Sequence, residues 1–140
     1  MTAFGPELEV FTELRPGIRR LVAPNPSIMT GPGTNTYLLG DSRIAVIDPG
    51  PAIASHIEKI IERAGAPVMW ILVTHTHPDH SPGASVLAER TGAELIGRPP
   101  PEGPQQDATF SPDYFLGDGE RLETGEFVLE GVHTPGHASN

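Results

Sequence analysis

His75, His77, Asp79 and His80 stand in the stretch LVTHTHPDHSPG and use three of the chain's six histidines within six positions. Imidazole nitrogens and carboxylate oxygens are ligands for a borderline divalent ion, typically zinc, and a chain without cysteine has no thiolate to offer instead. On extended backbone alternate residues point to the same side, so His75 and His77 can reach one ion. Asp79 and His80 lie beyond them on the turn, placed for a second ion close by. A solvated polar loop accounts for one such histidine. It does not account for a His-x-His-x-Asp-His run directly behind an apolar segment.

These side chains need elements to hold them. Residues 11–14 and 18–22 read as a hairpin about Arg15-Pro16-Gly17. Residues 25–34, with two prolines and two glycines, read as loop, and 35–39 and 44–47 as strands joined across Gly40-Asp41-Ser42. Ile53, Ile57, Ile60, Ile61 and Ala64 share one face of an amphipathic helix over residues 52–64, which Gly65 ends. The continuous apolar run 68–73 has the pattern of a strand buried on both faces. Ser81 before Pro82 resembles an N-cap and first helical residue, and Gly92 a stop, so 82–91 is a second helix. Residues 94–97 make a short strand, 98–112 with five prolines a loop, and 121–123 and 127–132 a hairpin about Thr124-Gly125.

Strand and helix alternate through the middle of the chain, which predicts two βαβ units and a parallel sheet with right-handed crossovers. Sites in open α/β sheets are built in the crevice at the carboxyl ends of the strands. The histidine stretch leaves one such end, and Asp48 leaves the end of the strand before it. His137, reached through Thr134-Pro135-Gly136, joins them if the last strand shares that rim.

Composition narrows the class. The length of 140 residues predicts one domain, and 16 Gly with 16 Pro predict many turns. A net charge of −9, from nine basic and eighteen acidic residues, argues against a surface built to grip nucleic acid or anionic membrane. Met1 to Val10 shows no leader pattern and no stretch approaches membrane-spanning length, so a soluble, cytoplasmic protein is expected.

The run His75-Thr76-His77-Pro78-Asp79-His80 resembles the signature of the metallo-β-lactamase superfamily. Asp48 of AVIDPG resembles that family's first-motif aspartate, and HTPGHAS, ending at Ser139, its third motif, with His137 as ligand. GPGTNTYLLG, from Gly31 to Gly40, is similar to the opening strand pair of a branch that holds beta-lactamase-like protein 2 and glyoxalase II-related hydrolases. The resemblance implies that His75, His77 and His137 hold a first metal, and that Asp79 and His80 serve a second. It implies that Asp48 orients the ligands from behind, and that Asp79 also positions the nucleophile or relays its proton. The cofactor it implies is zinc, one or two ions, although a donor set of nitrogen and oxygen also suits iron or manganese.

By the same resemblance the fold is α/β, the N-terminal half of a four-layer αββα sandwich, with a mixed sheet carrying helices on one face. The family's bridging aspartate and last histidine belong to a C-terminal half beyond these residues, so residues 1–140 are expected to be a fragment forming part of one domain. An apolar sheet face without its cover would favour homo-oligomers. The implied function is a hydrolase in which metal-bound hydroxide attacks an ester, thioester, lactone or phosphodiester of a small-molecule substrate. The alternatives are a nuclease of the same fold, which the acidic charge disfavours, and a catalytically incomplete binding protein. His56 reads as a solvated residue on the polar side of its helix. His133, in register with Phe127 and Leu129, reads as packed or hydrogen-bonded rather than as a ligand.

Overall fold

Pro16 and Gly17 turn the chain back at its first hairpin, and Gly17 takes the left-handed φ of 78° that such a turn needs. The computed structural model describes residues 11–140, so the leader reading of residues 1–10 lies outside the described residues. β1 (Phe11–Arg15), β2 (Ile18–Val22), β3 (Asn35–Leu39) and β4 (Ile44–Ile47) pair antiparallel in succession. After β4 the connections become helical. α1 (Ala54–Ala64) leads to β5 (Val68–Leu72), α2 (Pro82–Thr91) leads to β6 (Glu94–Ile96), and β4, β5 and β6 pair parallel. The product is a six-stranded mixed sheet in the order β1-β2-β3-β4-β5-β6. β7 (Arg121–Glu123) and β8 (Val128–Glu130) form a separate two-stranded sheet, so the strand before His137 is not a member of the main sheet.

Leu38, Ile44, Val46 and Ile71 of the sheet pack with Ile57, Ile60, Ala84 and Leu87 of the helices in one buried cluster. Each of the larger of these side chains contributes about 1.5–3 kcal/mol by leaving water. Arg19 secures the C-terminal end of α1 by donating to the Arg63 carbonyl at 2.8 Å, where helix carbonyls have no partner of their own. α1 begins at Ala54 rather than at residue 52, because Ile53 is still extended (φ −97°, ψ 117°).

The expected burial of β5 on both faces is not what the structure shows. Val68 and Ile71 are buried, but Trp70 and Leu72 are half-buried and Met69 is 40% exposed. The helices cover one face, and the β7–β8 hairpin reaches only part of the other. Phe127 meets Trp70 edge-on, with ring centroids 6.4 Å apart. Glu126 fastens this hairpin to the β3–β4 turn, accepting from the backbone of Asp41 and Arg43 at 2.9 Å and from the Ser42 hydroxyl at 2.6 Å. These hydrogen bonds hold its carboxyl down at about 2. Among the described residues no helix is long and apolar enough to cross a membrane.

Candidate metal centre

β4 ends at Ile47, and the next residue, Asp48, carries the one positive φ (52°) found outside glycine among the described residues. Aspartate tolerates that conformation better than most side chains. The turn sends its carboxylate, 6% exposed, under the loop that leaves β5. There Oδ1 accepts from the Thr74 backbone at 2.8 Å, and Oδ2 accepts from the Thr74 hydroxyl at 2.7 Å and faces His80 Nδ1 at 2.9 Å. The two loops also touch through backbone. Gly50 N donates to the His80 carbonyl at 3.0 Å and Gly83 N to the Gly50 carbonyl at 2.7 Å. A Cβ on Gly83 would stand 2.9 Å from that carbonyl oxygen, so only glycine lets α2 start here.

Hydrogen counting fixes the ring of His75. The Thr74 hydroxyl gives its single hydrogen to Asp48, so toward His75 Nδ1, 2.9 Å away, it can only accept. Nδ1 therefore carries the proton and Nε2 the lone pair. That Nε2 is buried and has no hydrogen-bond partner. Burial first, then the neighbouring His80, pulls His75 down to about 4, so at neutral pH it is in the uncharged form that ligates. His77 Nδ1 and His137 Nε2 stand 3.1 Å apart, and the rings of His75, His77 and His137 lie 4.6, 4.7 and 5.1 Å from one another. One nitrogen from each of the three falls within 4.8 Å of the other two. His75, Asp79 and His80 form a second group of the same tightness, so His75 belongs to both.

His80 lies between two carboxylates, with Asp48 on Nδ1 and Asp79 on Nε2 at 3.3 Å. Burial pulls its pKa down. The hydrogen bond and charge of Asp48 and the charge of Asp79 outweigh this and leave it raised. A buried lone pair on His75, facing imidazoles and a carboxylate, fits a divalent cation with nitrogen and oxygen preference. All six expected site residues (Asp48, His75, His77, Asp79, His80 and His137) come together on one rim. His137 arrives from the β7–β8 hairpin rather than from the main sheet.

Two histidine expectations fail. His56 is fully buried, not solvated, with Nε2 2.9 Å from the Thr36 hydroxyl. That hydroxyl donates to the Asp48 carbonyl at 2.7 Å, so His56 must donate to it and thereby supports the strained turn of Asp48. The signal was its position four residues before Ile60, which puts both on one helical stripe. His133 is exposed, and its contact is a backbone one, N–H to Asp118 Oδ1 at 2.9 Å. β8 ends at Glu130, before the register from Phe127 and Leu129 can carry it inward. Gln106 and Asp107, which hold the histidine loop from behind, carried no local signal inside a proline-rich loop.

Between the main sheet and the β7–β8 hairpin lies a cavity of about 280 Å³, lined by Ile47, Leu72, Ile96, Leu129 and, toward the histidines, Thr74 and Asn140. The sequence profile of the metallo-beta-lactamase superfamily matches residues 29–140. The beta-lactamase-like protein 2 homolog of Drosophila melanogaster is 34% identical over 145 residues, covering 92% of this chain and 48% of its own. A hydroxyacylglutathione hydrolase of Pseudomonas aeruginosa is 37% identical over 110 residues, covering 72% of this chain and 38% of its own. The chain thus spans less than half the length of these relatives. In fold it is similar to a metallo-beta-lactamase from Cronobacter sakazakii, with a TM-score of 0.76 at 24% identity over 96% of this chain and 57% of that one.

Proposed function

The chain belongs to the metallo-β-lactamase superfamily, and from that membership we propose that its histidine rim is the metal centre of a hydrolase cleaving a small acyl thioester or ester. The observation that carries the proposal is the buried, unpartnered Nε2 of His75 beside the paired nitrogens of His77 and His137. These three would hold a first ion, and Asp79 with His80 would serve a second. Zinc is the ion we expect, and iron or manganese would suit the same donors. A divalent ion, when bound, supplies Lewis acidity toward the scissile carbonyl and makes water a nucleophile at neutral pH.

The chain's own residues have separate parts in this proposal. Asp48, through Thr74, keeps the His75 proton on Nδ1 and its lone pair directed into the site. The carboxylate of Asp79, about a third exposed at 32%, is the group we assign to orienting the nucleophile and taking its proton. The cavity beside Thr74, lined by Ile47, Leu72, Ile96 and Leu129 together with Arg98, Asp118 and Glu130, lies near the lower end of ligand-pocket sizes, which suits a small substrate with an apolar and a polar part. The thioester preference is supported by the relative from Pseudomonas aeruginosa, whose name specifies a hydroxyacylglutathione. The excess of acidic over basic residues favours a small molecule over nucleic acid.

The test is metal analysis of the purified protein beside a panel of acyl thioesters, oxygen esters, lactones and phosphodiesters. Metal-dependent cleavage led by thioesters supports the proposal. Cleavage of phosphodiesters alone, or turnover unchanged by chelation, contradicts it.

A further inference from the structure

Thr76 sits between two of the proposed ligands, His75 and His77, and is fully buried. Its hydroxyl donates to Gln106 Oε1 at 2.6 Å and accepts from Asn140 Nδ2 at 2.9 Å, while its carbonyl accepts from Asp107 N at 2.8 Å. At the far end of the same loop, directly after His80, Ser81 is also fully buried. Its hydroxyl does not cap α2. It donates instead to Asp107 Oδ2 at 2.6 Å. The other oxygen of Asp107 accepts from Thr109 N at 3.0 Å and from the Thr109 hydroxyl, so this carboxylate, 8% exposed, is itself fixed. One dipeptide of the proline-rich loop therefore grips both ends of the histidine loop. Through the Thr76 hydroxyl it also reaches Asn140, in the segment that carries His137.

We propose that Gln106 and Asp107 are positioning residues of the metal centre, bracing the loop from Thr76 to Ser81 so that its imidazoles stay converged. The inference rests on the metal reading of the site given above. Its chemistry is directional. Each hydroxyl has one hydrogen, and in both Thr76 and Ser81 that hydrogen goes to this dipeptide, so neither bond can be replaced without turning the side chain. The segment bearing His77 and His80 has no other side-chain bond to the 98–112 loop among the described residues. Partners behind a metal ligand typically set affinity by about 10–100-fold, because a loosened imidazole must be reordered when the ion binds.

The test uses Asp107→Ala, Ser81→Ala, their double variant, Gln106→Leu and Gln106→Glu, the last of which retains an acceptor for Thr76. Two quantities are read: hydrogen exchange of the peptide spanning residues 72–83 without metal, and zinc affinity by chelator competition. The expected result is faster exchange in that peptide and zinc affinity weaker by about tenfold in Asp107→Ala, Ser81→Ala and Gln106→Leu. The double variant should be no weaker than the worse single, and Gln106→Glu should bind close to the unaltered chain. Ser81→Ala removes one hydroxyl and decides the matter should Asp107→Ala not fold. Unchanged exchange, unchanged affinity in folded variants, or losses that simply add overturns the brace. An unaltered chain that takes up no zinc overturns the metal reading instead, and the exchange measurement then decides the brace by itself.

Discussion

Asp48→Asn replaces one carboxylate oxygen by an NH2 group in a side chain that keeps its shape and still tolerates a φ of 52°. The bond from Thr74 N survives, since Oδ1 remains an acceptor. At the other position an NH2 now faces two groups that had met an acceptor, the Thr74 hydroxyl and His80 Nδ1. The hydroxyl must reverse, accept from the introduced amide and give its hydrogen to His75 Nδ1. The His75 proton then moves to Nε2, the atom assigned to the metal. Hydrogen bonds to a charged partner are worth roughly 1.5–3 kcal/mol each, and with re-pairing of the two lost ones we expect a stability loss of about 2–4 kcal/mol. Zinc affinity should fall by about 10–100-fold, because the ion must first displace a proton from the wrong nitrogen. Thr74→Val, which removes the relay and keeps the carboxylate, should show the affinity loss with the smaller cost in stability. Long-range proton–nitrogen correlation of the imidazoles, taken without metal, reads the tautomer directly. A His75 ring already protonated at Nε2 in the unaltered chain, or undiminished zinc affinity in both variants, would refute the relay.

Other outcomes can be checked alongside. His137→Ala should lose the ion of the three-histidine group, whereas His133→Ala, altering an exposed ring, should leave metal content intact on elemental analysis. Glu126, held at about 2 when folded, contributes stability that is present above the ordinary carboxylate value of 4.5 and is lost as pH falls toward about 2. Glu126→Gln should remove that dependence from denaturant melts across this window. A polypeptide of these 140 residues should elute larger than a monomer on a sizing column, because Trp70 and Leu72 are only half-buried and Val132 is 69% exposed. Apolar surface in water costs roughly 25 cal/mol per Å², which favours burying it against a second copy. A monodisperse monomer would contradict this.

Much of the sheet was legible because its signals are local. Pro16 and Gly17, the isoleucine spacing of α1, and the Ser81-Pro82 start with the Gly92 stop of α2 each act within a few residues, and the elements fall within two residues of expectation at these points. The ligand run was legible because its chemistry is concentrated. What stayed hidden was long-range. The spacing from Ile60 puts His56 on the buried stripe of α1, but its partner Thr36 lies twenty residues earlier, and that Ser81 serves Asp107 rather than its own helix depends on a loop twenty-six residues later. Periodicity reports which face of an element is apolar but not what covers it, which is why β5 reads as buried on both sides while the hairpin covers only part of one. Likewise the turn before His137 gives its direction only once β7 and β8 are known to stand apart from the main sheet.

Whether His75, His77 and His137 hold one ion can be read by X-ray absorption at the zinc edge of the chain loaded with one equivalent. Because His75 is common to both ligand groups, one ion occupying it leaves Asp79 and His80 for any other, so uptake should be close to one zinc per chain. The expected spectrum shows a shell of light atoms at about 2.0–2.1 Å with the multiple scattering of three imidazoles. That scattering should diminish by one ring in His137→Ala. A shell of oxygens without imidazole scattering, or a spectrum unchanged by removing His137, would contradict the three-histidine site.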